Sequence, residues 1–191
     1  IRDRRDIAEI DLWPSQIAAA TRVVDETDSL VVALPTSSGK TRIAELCILR
    51  CLAGGRRVVY VTPLRALSAQ VEVTLGRTFR RLGFSVTSVY GASGLGACDV
   101  DTMASANIVV ATPEKLDFAI RQSPDVIADV GLIVLDEGHM IGLNEREIRY
   151  EILVQRLLHR EDADTRRIVC LSAIFTEAVS YTHLRAHETS G

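Results

Sequence analysis

Residues 34–41 read L-P-T-S-S-G-K-T, a run of small residues closed by a lysine and a hydroxyl. Before it stands the apolar run Leu30–Ala33, and after Gly39 comes K-T-R-I-A-E-L-C-I-L, which has an apolar face. A strand, a small-residue loop and a helix opening on Lys-Thr form the arrangement that cradles phosphates. Backbone N–H groups of the loop and of the first helical turn converge there on negative charge. Thr36, Ser37 and Ser38 line the loop, and Gly39 lets the backbone approach closely. Lys40 brings a point charge to the β and γ phosphates, and Thr41 offers a hydroxyl to Mg²⁺. Leu34 stands where the first glycine of the motif is expected. Gly-Lys-Thr also occurs in plain Ser/Gly loops that cap a helix, so this stretch alone leaves both readings open.

The second stretch is Asp136-Glu137, which follows the apolar run G-L-I-V-L. Charge is costly inside a sheet, so the pair belongs at the open end of a strand. Asp136 would hold Mg²⁺, and Glu137 would orient and deprotonate an attacking water, as phosphoryl transfer requires. An acidic strand end leading into a glycine turn is the plainer alternative, and the Gly-Lys-Thr loop upstream weighs against it. No Asn-Lys-x-Asp segment and no His-Arg-Asp loop is present, so GTPase and kinase readings are weaker. Gln16, just ahead of the first strand, has an amide that can donate and accept together, as reading an adenine edge needs; a helix-cap role is its alternative.

These residues need elements to position them. Pro14–Val24 is predicted as a helix with Ile17, Ala20, Thr21 and Val24 facing inward. Strands are predicted at 30–34, 57–61, 84–90, 107–111, 131–135 and 167–171. Helices are predicted from Gly39 to about Leu52, from Thr62 to about Arg81, from Thr112 onward and over 145–159, the last carrying Ile148, Ile152 and a cluster at Val154, Leu157 and Leu158. Gly54-Gly55 and Gly83 read as stops. Gly91–Gly96 lacks a lysine and reads as a surface turn. Six β segments alternating with helices predict an α/β fold, a mostly parallel sheet in a three-layer α/β/α domain. Such sheets bind ligands beyond the carboxyl ends of their strands. Thr36–Thr41, Thr62–Arg65, Thr112-Pro113, Asp136-Glu137 and Ser172 all fall at that edge.

The 191 residues are 47% hydrophobic and 25% charged, enough for one domain with a sizeable core. A formal charge of −3 gives no global attraction for nucleic acid, though a local patch would suffice. No apolar run reaches the length of a membrane span, and no basic-apolar-small leader is seen. Cys47, Cys51, Cys98 and Cys170 lack the paired spacing of a metal site and read as buried free thiols, consistent with a reducing cytoplasm. Residues 1–10 read as a frayed or truncated segment and 11–177 as one domain. Residues 178–191, with S-Y-T-H-L-R-A-H-E-T-S, show no strand pattern and resemble translated read-through into a sequencing adapter, hence a non-native tail.

L-P-T-S-S-G-K-T, T-P-L-R-A-L, A-T-P-E-K-L-D, L-D-E-G-H and L-S-A, in this order, resemble the first RecA-like domain of superfamily 2 helicases. P-L-R-A-L and D-E-G-H-M-I-G are most similar to the Ski2-like DExH branch and its bacterial relatives. The resemblance spans about Leu12 to Ser172. It implies a P-loop ATPase using ATP and Mg²⁺, with Gln16 recognising adenine and Gly39, Lys40 and Thr41 as motif I. Thr62, Pro63 and Arg65 would hold the backbone of one nucleic-acid strand, DNA or RNA, together with Thr112, Pro113 and Glu114. Asp136, Glu137 and His139 look like motif II. Ser172 and Ala173 look like motif III, which links the ATP state to nucleic acid; Ile174 stands where that motif commonly has threonine. The resemblance also implies a second RecA-like domain beyond this chain, supplying arginine fingers and half of the nucleic-acid track. A non-unwinding double-strand DNA translocase of a defence or restriction system is one alternative. An ATP-regulated binding module with little turnover is another.

Overall fold

The computed structural model describes residues 17, 20, 21, 23, 28–34, 39–89, 97–138, 145–173 and 180–183, without the side chains of 97–100, 145–147 and 180–183. Among these residues the strands are β1 (Leu30–Leu34), β2 (Arg57–Val61), β3 (Val86–Val89), β4 (Ile108–Ala111), β5 (Val130–Leu135), β6 (Arg167–Ala173) and β7 (Ser180–His183). The helices are α1 (Lys40–Ala53), α2 (Arg65–Phe79), α3 (Ala97–Ser105), α4 (Pro113–Gln122) and α5 (Glu145–Leu158). The strands form one sheet in the order β3-β4-β2-β5-β6-β1-β7. All pairings are parallel except β1 with β7. The fold is α/β, a RecA-like domain with a mostly parallel sheet flanked by helices.

Near-continuous apolar strands are what a sheet covered on both faces requires. Alternation along each strand splits the core in two. Val58 and Tyr60 of β2, with Leu132 and Val134 of β5, pack with Ile43 and Ile48 of α1 and Leu75 of α2. Val59, Val61, Ile133 and Leu135 pack on the other face with Leu116 and Ile120 of α4 and Tyr150, Leu153 and Leu157 of α5.

The carboxyl edge is stepped. Leu135 of β5 is level with Cys170 of β6, and Val31 of β1 is also level with Cys170. β6 and β1 then run on together, pairing Ala33 with Ser172 and Leu34 with Ala173. The chain therefore leaves β1 beyond the level at which Asp136 leaves β5.

Several expectations are corrected. The predicted strand 84–90 is shorter, because a 3₁₀ turn (Arg80–Leu82) extends α2 and Gly83 follows it with φ 87°. Helix α3 was not expected from A-C-D-V-D-T-M-A-S. Residues 17, 20, 21 and 23 are helical, but Ile17 is exposed and Val23 is fully buried, so the inward face is rotated from the predicted one. In α5, Ile148, Ile152 and Leu158 lie outward, while Tyr150, Leu153 and Leu157 lie inward. Both stripes of α5 are apolar, and the one carrying Tyr150 is the one that packs against β5 and α4. Residues 180–183 form a strand paired with β1, from Leu30↔His183 to Ala33↔Ser180, where no strand pattern was expected.

Candidate functional site

Gly39 caps α1 in the left-handed region, with φ 71° and ψ 37°. Any other residue would strain there, which is why the loop turns into the helix on glycine. The first turn of α1 holds no acidic residue that would compete for its N–H groups. Lys40 follows immediately, 8% exposed. Its Nζ lies 3.7 Å from Oε1 of Glu137. No hydrogen-bond acceptor reaches Nζ among the described residues. A buried ammonium without a hydrogen bond is expensive and is poised to take an anion. Thr41 is exposed on the same turn.

Asp136 is held at four points. Its N–H donates to Val61 O at 2.9 Å, continuing the β5–β2 ladder by one rung. Its carbonyl accepts the Tyr150 hydroxyl at 2.9 Å. Oδ2 accepts the Tyr60 hydroxyl at 3.0 Å, and Oδ1 accepts the Glu137 N–H at 2.9 Å. Burial raises the Asp136 carboxyl above its usual range, and the Glu137 charge adds to this, while the two hydrogen bonds and Lys40 oppose it. Burial and the Asp136 charge likewise push both tyrosine hydroxyls up, so they remain protonated donors.

Glu137 has φ 53°, a left-handed backbone on a residue other than glycine. Such strain is kept where surrounding contacts over-determine it. Here the turn delivers the Glu137 N–H to Asp136 and its carboxylate to Lys40. Gly138 continues the turn against β6, where an added Cβ would collide with Cys170 Sγ. A side chain at 138 would require Cys170 Sγ or the turn itself to move.

The remaining predicted residues sit as follows. Thr62 is fully buried; its Oγ1 lies 2.8 Å from Ser68 Oγ and 3.2 Å from Leu64 O, so its side chain braces the start of α2. Pro63 is half-buried, and Arg65, the first residue of α2, is exposed. Thr112 and Pro113 are buried at the start of α4 and Glu114 is half-buried in its first turn. Ser172 is half-buried and Ala173 buried at the end of β6, between β5 and β1. Gln16, Thr36, Ser37, Ser38, His139 and Ile174 lie outside the described residues.

Two partners of Asp136 escaped sequence reading. Tyr60 is the one aromatic in R-V-V-Y-V, and a buried phenol demands a hydrogen-bond partner. Its register opposite Val134, with Asp136 two residues further along the same face, would have pointed to that partner. Tyr150 gave no comparable signal, since its reach depends on how α5 is rotated.

The donor set suits a nucleotide with Mg²⁺. Among the described residues no three His, Cys, Asp or Glu side chains cluster as a metal cage. Mg²⁺ at a phosphate takes one or two protein oxygens and completes its shell with phosphates and water. Thr41 and Asp136 can supply those, and the Lys40 ammonium can receive phosphate. A cavity of about 360 Å³ opens at the opposite, amino edge of the sheet, lined by Cys47, Arg50, Gly131 and Arg166 among others. It is away from all the residues above. Cys47, Cys51 and Cys170 are free thiols, each pushed by burial up to about 11. Among the described residues no helix is long and apolar enough to cross a membrane.

Residues 13–181 match the profile of the DEAD/DEAH box helicase family. The chain is 34% identical over 151 residues to the Hachiman protein HamB of Bacillus cereus, covering 78% of this chain and 14% of HamB. It is 36% identical over 155 residues to the ATP-dependent DNA helicase Hel308 of Pyrococcus abyssi, covering 78% of this chain and 21% of that protein. It is 33% identical over 177 residues to the human U5 small nuclear ribonucleoprotein 200 kDa helicase, covering 89% of this chain and 8% of that one. The chain thus spans a minor part of the length of these relatives.

Proposed function

The chain belongs to the DEAD/DEAH box helicase family, and we propose that it is the ATP-binding half of a DExH-type nucleic-acid motor. The observation that carries this is the buried Lys40 Nζ, without a hydrogen bond among the described residues, 3.7 Å from the strained Glu137. Family membership implies ATP and Mg²⁺, and bound Mg²⁺ would neutralise phosphate charge during transfer. Lys40 and the N–H groups at the start of α1 would bind the β and γ phosphates, with Thr36, Ser37 and Ser38 completing the loop and Gln16 reading the base. Thr41 and Asp136 would hold the metal. Glu137 would leave Lys40, orient a water and accept its proton.

At the same edge, α2 and α4 begin at the carboxyl ends of the neighbouring strands β2 and β4, on opposite faces of the sheet. With the hydroxyl of Thr62 buried and that of Thr112 nearly so, phosphate contacts would fall to the helix starts, Arg65 and the rims at Pro63, Pro113 and Glu114. Such contacts hold a strand without reading its sequence, and they fit single-stranded DNA or RNA. Ser172, Ala173 and His139 would couple the two regions. A second RecA-like domain in the intact parent would supply the missing half of both sites. Similarity to Hel308, named an ATP-dependent DNA helicase, supports the unwinding reading; a non-unwinding double-strand DNA translocase is the alternative.

Steady-state turnover of the intact parent, with and without a single-stranded oligonucleotide, tests the proposal. The expected result is ATP hydrolysis stimulated by nucleic acid, and its loss in Glu137→Gln with ATP binding retained. Turnover in Glu137→Gln close to that of the parent would remove Glu137 from its role as base. Strand displacement by the same protein separates unwinding from translocation.

A further inference from the structure

We propose that Tyr60 is a positioning residue for the Mg²⁺ carboxylate. Its hydroxyl fixes the Asp136 side chain from one face of the sheet, while Tyr150 fixes the Asp136 main chain from the other. The proposal rests on the assignment of Asp136 to Mg²⁺ given above.

Tyr60 is 2% exposed in the middle of β2, and its ring lies in the core shared with α1. It pairs in register with Val134. Side chains two residues apart on a strand share a face, so Asp136 follows Val134 on the side where Tyr60 lies. The hydroxyl reaches Oδ2 at 3.0 Å. The Glu137 N–H takes Oδ1 at 2.9 Å. With each oxygen anchored to a different element, the carboxylate cannot rotate without breaking a hydrogen bond. Each oxygen retains a lone pair for a further partner. On the opposite face Tyr150, 1% exposed, grips the Asp136 carbonyl at 2.9 Å. The clamp therefore acts on one residue from β2, from α5 and from its own turn.

A buried phenol needs some acceptor, and Asp136 would satisfy it even without any role in metal binding. The two roles differ in what they do to Mg²⁺. Outer partners of a metal ligand change metal affinity by about 10–100-fold when removed. A hydroxyl that only satisfies the core changes stability and leaves the metal midpoint alone.

Binding of a fluorescent ATP analogue to the 191-residue chain at stepped Mg²⁺ concentrations separates these. Tyr60→Phe is expected to keep the affinity measured in EDTA and to raise the Mg²⁺ midpoint by about tenfold. In an Asp136→Asn background the same change is expected to add nothing. A Tyr60→Phe midpoint equal to that of the unmodified chain overturns the proposal, as does a shift that persists in Asp136→Asn. If the unmodified chain binds the analogue at no Mg²⁺ concentration, the nucleotide site itself falls, and the proposal with it. If Tyr60→Phe does not fold, the unmodified chain labelled with 3-fluorotyrosine gives a second measurement. The four tyrosines can be assigned by elimination, replacing the other three with Phe. The Tyr60 resonance is expected to move with the Mg²⁺ midpoint in the presence of nucleotide. A resonance that stays fixed through that midpoint overturns the proposal.

Discussion

Asp136 keeps its carboxylate in place at a cost to folding. Burial disfavours its charged form more than Tyr60, the Glu137 N–H and Lys40 favour it, so its folded-state pKa lies above the unfolded one. A carboxyl raised in this way stabilises the fold when protonated, below the unfolded value of about 3.9. That contribution is lost as pH rises through the folded value, so at neutral pH the charge is a net expense. Asp136→Asn is therefore expected to stabilise the nucleotide-free chain at pH 7 by about 0.5–2 kcal/mol, the range of common stabilising substitutions. That corresponds to about 2–4 °C in Tm per kcal/mol for a chain of this size. The gain is expected to shrink as pH falls toward 4. Thermal unfolding of both proteins at pH 7 and pH 4 checks it, and a lower midpoint for Asp136→Asn at pH 7 would show that the hydrogen bonds outweigh burial.

The elements that carry Asp136 are held at their far ends by arginines. Arg57 grips Asp129 with Nε at 2.6 Å and also pairs through Nη2, which donates to Val126 O at 2.8 Å as well. Arg56 reaches Thr165 O at 2.9 Å and Val130 O at 3.0 Å. Arg166 has a fully buried side chain paired with Asp162 at 2.6 Å, and Arg160 pairs with the same carboxylate at 2.7 Å. Arg160 and Arg166 together hold the Asp162 carboxyl well below the usual range. The sign is opposite to that of Asp136: this stability is present above the unfolded pKa of about 3.9 and is lost as pH falls through the folded value. Asp162→Asn is expected to cost about 1.5–3 kcal/mol at pH 7, the range for hydrogen bonds to charged groups. The difference from the unmodified chain is expected to narrow below pH 4. Urea unfolding at pH 7 and pH 3 measures both, and an equal difference at the two pH values would exclude the ion pairs as its source.

Which elements could be read from sequence follows from the same physics. β2, β5 and β6 are near-continuous apolar runs bounded by turn residues, and sheets buried on both faces leave no other reading. Helix α3 was hidden because A-C-D-V-D-T-M-A-S carries little apolar periodicity beside a Gly-rich stretch. The orientation of α5 could not be read because Ile148-Ile152 and Tyr150-Leu153-Leu157 are both apolar stripes; packing selects the second. Lys40, Asp136 and Glu137 were singled out by residue type and by position at a helix start and just past a strand, and the structure brings Lys40 and Glu137 to 3.7 Å. Tyr60 was not, because its role depends on register across two strands.

Across the whole sheet, the order β2-β5-β6-β1 sets the strand carrying Asp136 apart from the one that leads to Gly39 and Lys40, with β6 between them. The stepped edge and the left-handed turn at Glu137 bring the two back together at Lys40. This meeting point is the triphosphate site proposed above. Its most direct test is an equilibrium titration of a fluorescent ATP analogue with Mg²⁺ against the chain and against Lys40→Ala. Lys40→Ala is expected to weaken binding at least about 30-fold, the counterpart of the roughly 2 kcal/mol lost with one partner of a buried charged contact. Its unfolding midpoint is expected not to fall, since Lys40 Nζ makes no hydrogen bond among the described residues. Equal affinity of the two proteins for the analogue, with both folded, would show that Lys40 does not receive the phosphates.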